Sequence, residues 1–173
     1  KLGLQLQASL AASDTAWLLR FDNVTASGSL REQAFQLAAR GNYRPGALQL
    51  DSGVLTSGPT RVQLQGQLGD QLDLDWELAS PDLATLAPAA SGELSGKGRL
   101  QGTPQAPRLT VQLAGSDLRY RTDSIASLQL DASIDAAGEQ ASRLELLLNG
   151  SRIADTRIDR LRLAGTGYPQ AHA

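Results

Sequence analysis

The sequence predicts an all-β fold, a long antiparallel meander in which each half-buried strand pairs with the next. Apolar residues return at every second position through most of the 173-residue chain, and turn-forming residues separate these runs at short intervals. Alternation with period two puts apolar side chains on one face of a strand and polar ones on the other, whereas a helix would scatter the same residues. The clearest run is Leu-Asp-Leu-Asp-Trp-Glu-Leu at 72–78. It sets Leu72, Leu74, Trp76 and Leu78 against Asp73, Asp75 and Glu77. The pattern recurs at Leu2/Leu4/Leu6, Val62/Leu64, Leu109/Val111/Leu113, Leu128/Leu130 with Ile134, Leu144/Leu146/Leu148 and Leu161/Leu163.

Fifteen strand-like stretches follow, at about 2–10, 15–21, 24–30, 33–40, 46–51, 54–57, 60–68, 71–79, 93–102, 107–114, 117–121, 125–135, 142–149, 151–155 and 157–165. The junctions Ser13-Asp14, Pro45-Gly46, Ser57-Gly58-Pro59, Gly69-Asp70, Ala137-Gly138-Glu139 and Asn149-Gly150 carry turn chemistry. Asn149-Gly150 has the strongest hairpin signal, since a type I′ turn needs positive φ at both central residues. Asp14, Asp22 and Asp51 also fit turn positions. Connections this short require antiparallel neighbours.

Residues 80–88 break the alternation. Ser80 reads as an N-cap, Pro81 as the first helical residue, and Leu83 and Leu86 lie three apart before Pro88 closes the segment. A short helix near 81–87 is expected, packing its leucines on the apolar face or plugging its end. From 92 to 102 the alternation becomes Gly92, Leu94, Gly96, Gly98, Leu100 and Gly102. Glycine on an inward face admits close approach of a neighbour or sharp bending.

Composition excludes several functions. Sixteen basic residues against 18 acidic ones, dispersed without a basic tract, leave no electrostatic footprint for nucleic acid. Cysteine is absent, so no disulfide or thiolate metal site forms. No apolar run approaches the roughly 18 residues of a spanning helix. Gly96-Lys97 lacks the spacing, the following Ser or Thr and the helix of a phosphate loop, and Gly96, Gly98 and Gly102 miss the dinucleotide fingerprint. Asp73, Asp75 and Glu77 stand about 7 Å apart along one strand face, too far for two neighbours to chelate one cation, and read as a solvated face. His172 near the terminus has no partner at ligand spacing, and without another histidine the serines lack a general base. Asn23-Val24-Thr25 and Asn149-Gly150-Ser151 fit the glycan acceptor pattern, which matters only in a eukaryotic secretory setting. No catalytic residue, metal site or cofactor is expected, and the protein is not expected to be an enzyme.

Aromatics make up only 4% of the chain, and Phe35, Trp17, Trp76 and Tyr120 stand isolated, which favours a smooth aliphatic surface over a compact sandwich core. The chain starts in mid-pattern at Lys1-Leu2-Gly3-Leu4 and ends on an equally arbitrary His172-Ala173. It reads as one continuous β-repeat segment, 1–173, interior or C-terminal in a longer protein, with a sub-boundary at 80–91 at the short helix and its Pro/Ala/Ser linker.

Residues 80–167 resemble the AsmA-like superfamily, and within it most closely the TamB family of the Gram-negative translocation and assembly module. The resemblance rests on Asp82-Leu83 with Pro88, then Gly92-x-Leu94-x-Gly96-x-x-x-Leu100-x-Gly102-Thr103-Pro104-x-x-Pro107-x-Leu109. It continues through Asp117-Leu118-x-Tyr120, Ile125-x-x-Leu128-x-Leu130-x-Ala132, Leu144-x-Leu146-x-Leu148-x-Gly150 and Leu161-x-Leu163-x-Gly165. Residues 1–79 share the texture without the sharpest motif. The resemblance implies a periplasmic, inner-membrane-anchored protein whose sheet curls into an open trough, a β-taco with an apolar interior, that conducts lipid. It also implies an outer-membrane barrel partner, TamA, engaged outside this segment.

The lipid-groove candidates are then Leu72, Leu74, Trp76, Leu78, Leu109, Val111, Leu113, Leu128, Leu130, Ile134, Leu144, Leu146, Leu148, Leu161 and Leu163, with phospholipid acyl chains as the ligand. The alternative is a closed β-sandwich or solenoid, a spacer or protein-binding module assisting outer-membrane protein assembly, whose apolar face a second sheet would cover. Self-association through an open edge strand is a third expectation.

Overall fold

The computed structural model describes residues 2–13, 16–30, 33–154 and 156–169. They form one open sheet of eleven strands in chain order, each antiparallel to the next and none closing the sheet into a barrel. The strands are β1 (Leu2–Ser13), β2 (Ala16–Leu30), β3 (Gln33–Arg44), β4 (Ala47–Ser57), β5 (Thr60–Leu68) and β6 (Leu72–Ser80). After a single 3₁₀ turn (Leu83–Thr85) come β7 (Ala90–Thr103), β8 (Ala106–Tyr120), β9 (Asp123–Asp135), β10 (Ser142–Ile153) and β11 (Thr156–Gly167). The sheet passes through the 80–91 region unbroken, because β6 and β7 pair from Leu72↔Gly102 to Ser80↔Leu94.

Eleven strands replace the fifteen expected because four expected breaks are irregularities inside continuous strands. In β2 the ladder runs Phe21↔Gly41 and then Val24↔Ala39, leaving one extra residue around Asp22. In β4 it runs Leu50↔Gly66 and then Gly53↔Leu64, with the extra residue around Asp51. These are β-bulges, so Asp22 and Asp51 occupy strand interiors and not turns. Asp22 Oδ1 instead accepts the Arg20 Nε–H at 2.9 Å, and Asp14 lies outside the described residues. In β8 Asp117 takes φ 49°, and in β10 Gly150 takes φ 56°.

Asn149-Gly150 is therefore not a hairpin. Asn149 stays in the ladder opposite Ser127 and Arg160, and its Nδ2–H donates to Ser127 Oγ at 2.9 Å. Only Gly150 of the pair adopts positive φ, which kinks the strand where a type I′ turn would need both. The chain reverses after Ile153, which pairs with Thr156. Elsewhere the turn chemistry holds: Gly46 (φ 79°), Gly58 (φ 54°) and Gly138 (φ 74°) all lie in connections.

The expected helix shrinks to the 3₁₀ turn. Its cap is Asp82, whose Oδ1 accepts the Ala84 amide at 2.9 Å, and not Ser80. Ser80 ends β6 and joins a chain of hydroxyls, with Thr60 Oγ1 2.7 Å from Ser80 Oγ and 2.9 Å from Thr85 Oγ1. Proton counting orients the chain. The Thr85 hydroxyl donates to the Asp82 carbonyl at 2.8 Å, so it accepts from Thr60, which in turn accepts from Ser80. Thr60 and Ser80 are 3% and 2% exposed. The segment between β6 and β7 is thus held to the sheet by hydroxyls, while Leu86 remains 48% exposed and does not plug the end of the face.

Glycine faces large side chains across the strands. A Cβ on Gly98 would lie 2.6 Å from Trp76 Nε1, and one on Gly96 would lie 2.2 Å from Leu113 Cδ2. Trp76 therefore lies over Gly98, its register partner, and Leu113 over Gly96. Trp17, expected to be isolated, sits 5.5 Å from the Tyr43 ring centroid.

Thr60→Val leaves the Ser80 hydroxyl without its acceptor and Thr85 Oγ1 without its donor, which costs about 1–3 kcal/mol in denaturant unfolding; Thr60→Ser retains most of it, and equal losses would contradict the chain. Gly98→Val pushes against Trp76 and the Thr110 carbonyl, 2.4 Å from the added Cβ, and costs roughly 1–3 kcal/mol by overpacking. A midpoint unchanged from wild type would show that the ring moves aside freely.

Candidate functional site

Register joins the apolar positions of separate strands into continuous rows. One row reads Leu4↔Ala26↔Leu37↔Leu55↔Val62↔Leu78↔Gly96↔Leu113↔Leu130↔Leu146↔Leu163, with a member from every strand. The neighbouring row carries Leu64↔Trp76↔Gly98↔Val111↔Ala132↔Leu144. A third carries Leu128↔Leu148↔Leu161, and a fourth Leu74↔Leu100↔Leu109↔Ile134. Leu72 lies two residues beyond Leu74 and opposite Gly102. All fifteen candidate positions therefore share one face of the sheet.

Bulges bring further apolar residues onto the same face. Phe21 and Val24 are three residues apart, an odd spacing that would turn them to opposite faces in a regular strand. With the extra residue at Asp22, both pair with β3 residues two apart, Gly41 and Ala39. At the other end of the sheet Gly115 and Leu118 show the same odd step, and Leu118 Cδ1 would meet a Cβ on Gly115 at 2.8 Å. The step runs in line through Leu128 to Ile125, Leu148 to Ser151 and Leu161 to Ile158.

No second sheet or helical layer covers this face among the described residues. Among the described residues only Ala132 and Leu148 are buried hydrophobics there, each 7% exposed, whereas Ile134 and Leu163 are 48% exposed and Leu144 42%. Eleven strands at about 4.8 Å spacing and four rows about 7 Å apart give a patch on the order of 1,000 Å². Exposed apolar patches beyond a few hundred Å² mark a surface that meets a ligand, a membrane or a partner. Positions beyond the fifteen belong to the same face, notably Leu37, Leu55, Leu94 and Leu100. The Gly/Leu parity of residues 94–102 signals the last two, but only the ladder reveals which glycines stand opposite which leucines.

The opposite face is polar. Asp73 Oδ1 accepts from Arg99 Nη2 at 2.8 Å and Asp75 Oδ1 lies 3.5 Å from Arg99 Nε. Arg99 thus occupies these two carboxylates, and its pKa is raised chiefly by the hydrogen bond it donates to Asp73. Glu77 stands opposite Lys97. A hollow of about 580 Å³ is lined by three consecutive residues from each of β4 to β9, as at Asp75, Trp76 and Glu77. Among the described residues no group of three or more His, Cys, Asp or Glu converges as metal ligands, and no helix is long and apolar enough to cross a membrane. His172 lies outside the described residues.

Asp135 ties down the β9–β10 connection beside Ile134. Its carboxylate accepts from the Ala137 and Gln140 amides at 2.9 and 2.8 Å and lies 3.3 Å from Arg108 Nε. Burial pushes its pKa up, but the amides of Gln140 and Ala137 and the Arg108 guanidinium outweigh this and hold it below the usual carboxylate range. A depressed folded pKa means the stabilisation is complete above the unfolded value of about 3.9 and is lost as pH falls through the lower folded value. The Ala137 and Gln140 amide resonances are expected to shift together below about pH 4, and Asp135→Asn removes that transition. Persistence of the transition in the variant would assign it to another group.

The family model described as "TamB, N-terminal domain" matches residues 1–173. The match takes in residues 1–79, where the sharpest sequence motif is missing. Its description names an N-terminal domain, which gives no support to the expected C-terminal placement. No solved structure matches the chain. With a family match along its whole length, the chain belongs to the TamB N-terminal domain family.

Proposed function

We propose that this domain is a stretch of lipid conduit, shielding phospholipid acyl chains on its apolar face during movement from the inner to the outer membrane of a Gram-negative cell. One observation carries the reading: an apolar face continuous in register across eleven strands, with no layer covering it among the described residues. A β-sandwich spacer needs a second sheet over that face, and the single sheet supplies none. On this reading the domain works in the periplasm without covalent chemistry, as part of an inner-membrane-anchored protein that hands lipid toward the barrel partner TamA. Supporting outer-membrane biogenesis in this way requires no cofactor.

The chemistry suits passage more than capture. Each buried CH₂ contributes about 0.8 kcal/mol, so an acyl chain lying along the rows is held firmly. Leucine, isoleucine and valine offer no directional bonds, and neighbouring rows present nearly the same surface. A chain therefore slides from one strand to the next while losing and regaining similar contacts. Its headgroup faces the open side, in water.

A photo-crosslinking residue at Leu130 or Leu146 is expected to capture phospholipid, and one at Gln129 or Glu145, on the polar face, is expected not to. Leu130→Asp and Leu146→Asp should block lipid movement without loss of expression or of the β circular-dichroism signal. Equal capture at all four positions, or lipid movement unaffected by both charges, would sink the proposal.

A further inference from the structure

Acidic residues slightly outnumber basic ones in the chain, yet one rim of the sheet is strongly basic. Arg119, Ser124, Arg152 and Arg157 form a single cross-strand row through β8, β9, β10 and β11. Arg121 joins them from the β8–β9 turn, and together they border a cavity of about 460 Å³. The acid in its lining is Asp123, whose Oδ1 already accepts the Ala154 amide at 3.0 Å. Arg157 pairs with Asp159 at 3.2 Å, but both side chains are more than four-fifths exposed, at 81% and 86%, where such a pair contributes little. Among the described residues Arg119, Arg121 and Arg152 have no carboxylate within 4.0 Å.

Arg152 and Arg157 stand directly opposite each other, and like charges in that position destabilise a sheet. An anion in the cavity offsets the repulsion. Guanidinium groups suit phosphate in particular, because each planar fork donates two parallel hydrogen bonds to a pair of its oxygens. The row stands one residue beyond Leu118↔Ile125 in the ladder, so its side chains leave the polar face, at the strand ends where the apolar face also stops. A ligand with a charged head and an apolar tail reaches both faces by passing over the strand ends. From these features we infer that the arginine rim binds the phosphate group of an anionic lipid. The tail's place rests on the conduit reading, whereas the phosphate contact stands without it.

The test compares purified full-length protein with the double variant Arg119→Gln/Arg152→Gln. Affinity for vesicles containing phosphatidylglycerol should fall at least tenfold in the variant, while its circular dichroism and lipid capture by a photo-crosslinker at Leu130 stay unchanged. Binding in the wild type should weaken as salt rises. Equal affinity in wild type and variant overturns the site while leaving the conduit intact. Conversely, failure of Leu130 to capture lipid in the wild type overturns the conduit reading, and a tenfold arginine effect on vesicle binding would still stand. Inorganic phosphate and glycerol phosphate separate the sources: either anion binding the rim more tightly than vesicles containing phosphatidylglycerol do assigns the site to free phosphate and overturns the lipid ligand.

Discussion

The fold depends on keeping the period-two alternation in register from one strand to the next. A slip of one residue at any of ten ladders would turn every leucine beyond it from the apolar to the polar face. Helices packed against a sheet would ordinarily enforce register by offering a core to fill. Here no such layer stands among the described residues, so register comes from turn geometry and from cross-strand fit. Trp76 over Gly98 and Leu113 over Gly96 are shape matches that only one pairing satisfies. The hydroxyl chain from Ser80 through Thr60 to Thr85 performs the same service where the connection between β6 and β7 is longest.

Bulges let the strands bend without losing that register. Each inserts one residue, which alone would reverse the face, and each occurs where the next apolar residue lies an odd number of positions away. Asp22 between Phe21 and Val24, and Asp51 between Leu50 and Gly53, are matched by glycines on the neighbouring strands, Gly41 and Gly66. The glycines are required by close approach: a Cβ on Gly41 would lie 2.1 Å from the Gln49 carbonyl oxygen, and one on Gly66 1.9 Å from that of Asp73. A sheet bent in this way keeps one face apolar over strands of nine to fifteen residues.

This accounts for what could and could not be read from the residues alone. The all-β class, the meander order and the apolar face from Leu72 to Leu163 follow from alternation, which is local. Strand ends do not, because a bulge and a turn draw on the same residues. Asn149-Gly150 meets the chemical requirements of a hairpin, yet the neighbouring strands decide whether the chain turns or continues, and Ser127 holds Asn149 in the ladder. The arginine rim was equally illegible, since Arg119, Arg152 and Arg157 are dispersed in sequence and meet only through pairing. Asp82 displaces Ser80 as cap for a similar reason: Ser80 is claimed by Thr60 across the sheet.

An apolar face without a covering layer is a standing cost in water unless something apolar occupies it, and its continuity over eleven strands is the basis for reading it as a track. The most direct measurement is native mass spectrometry of the protein purified without detergent from envelope membranes. Adducts with the masses of phospholipids are expected, removed by extraction with organic solvent and restored on exposure to vesicles. A protein that flies at its bare polypeptide mass, before and after exposure to vesicles, would contradict it.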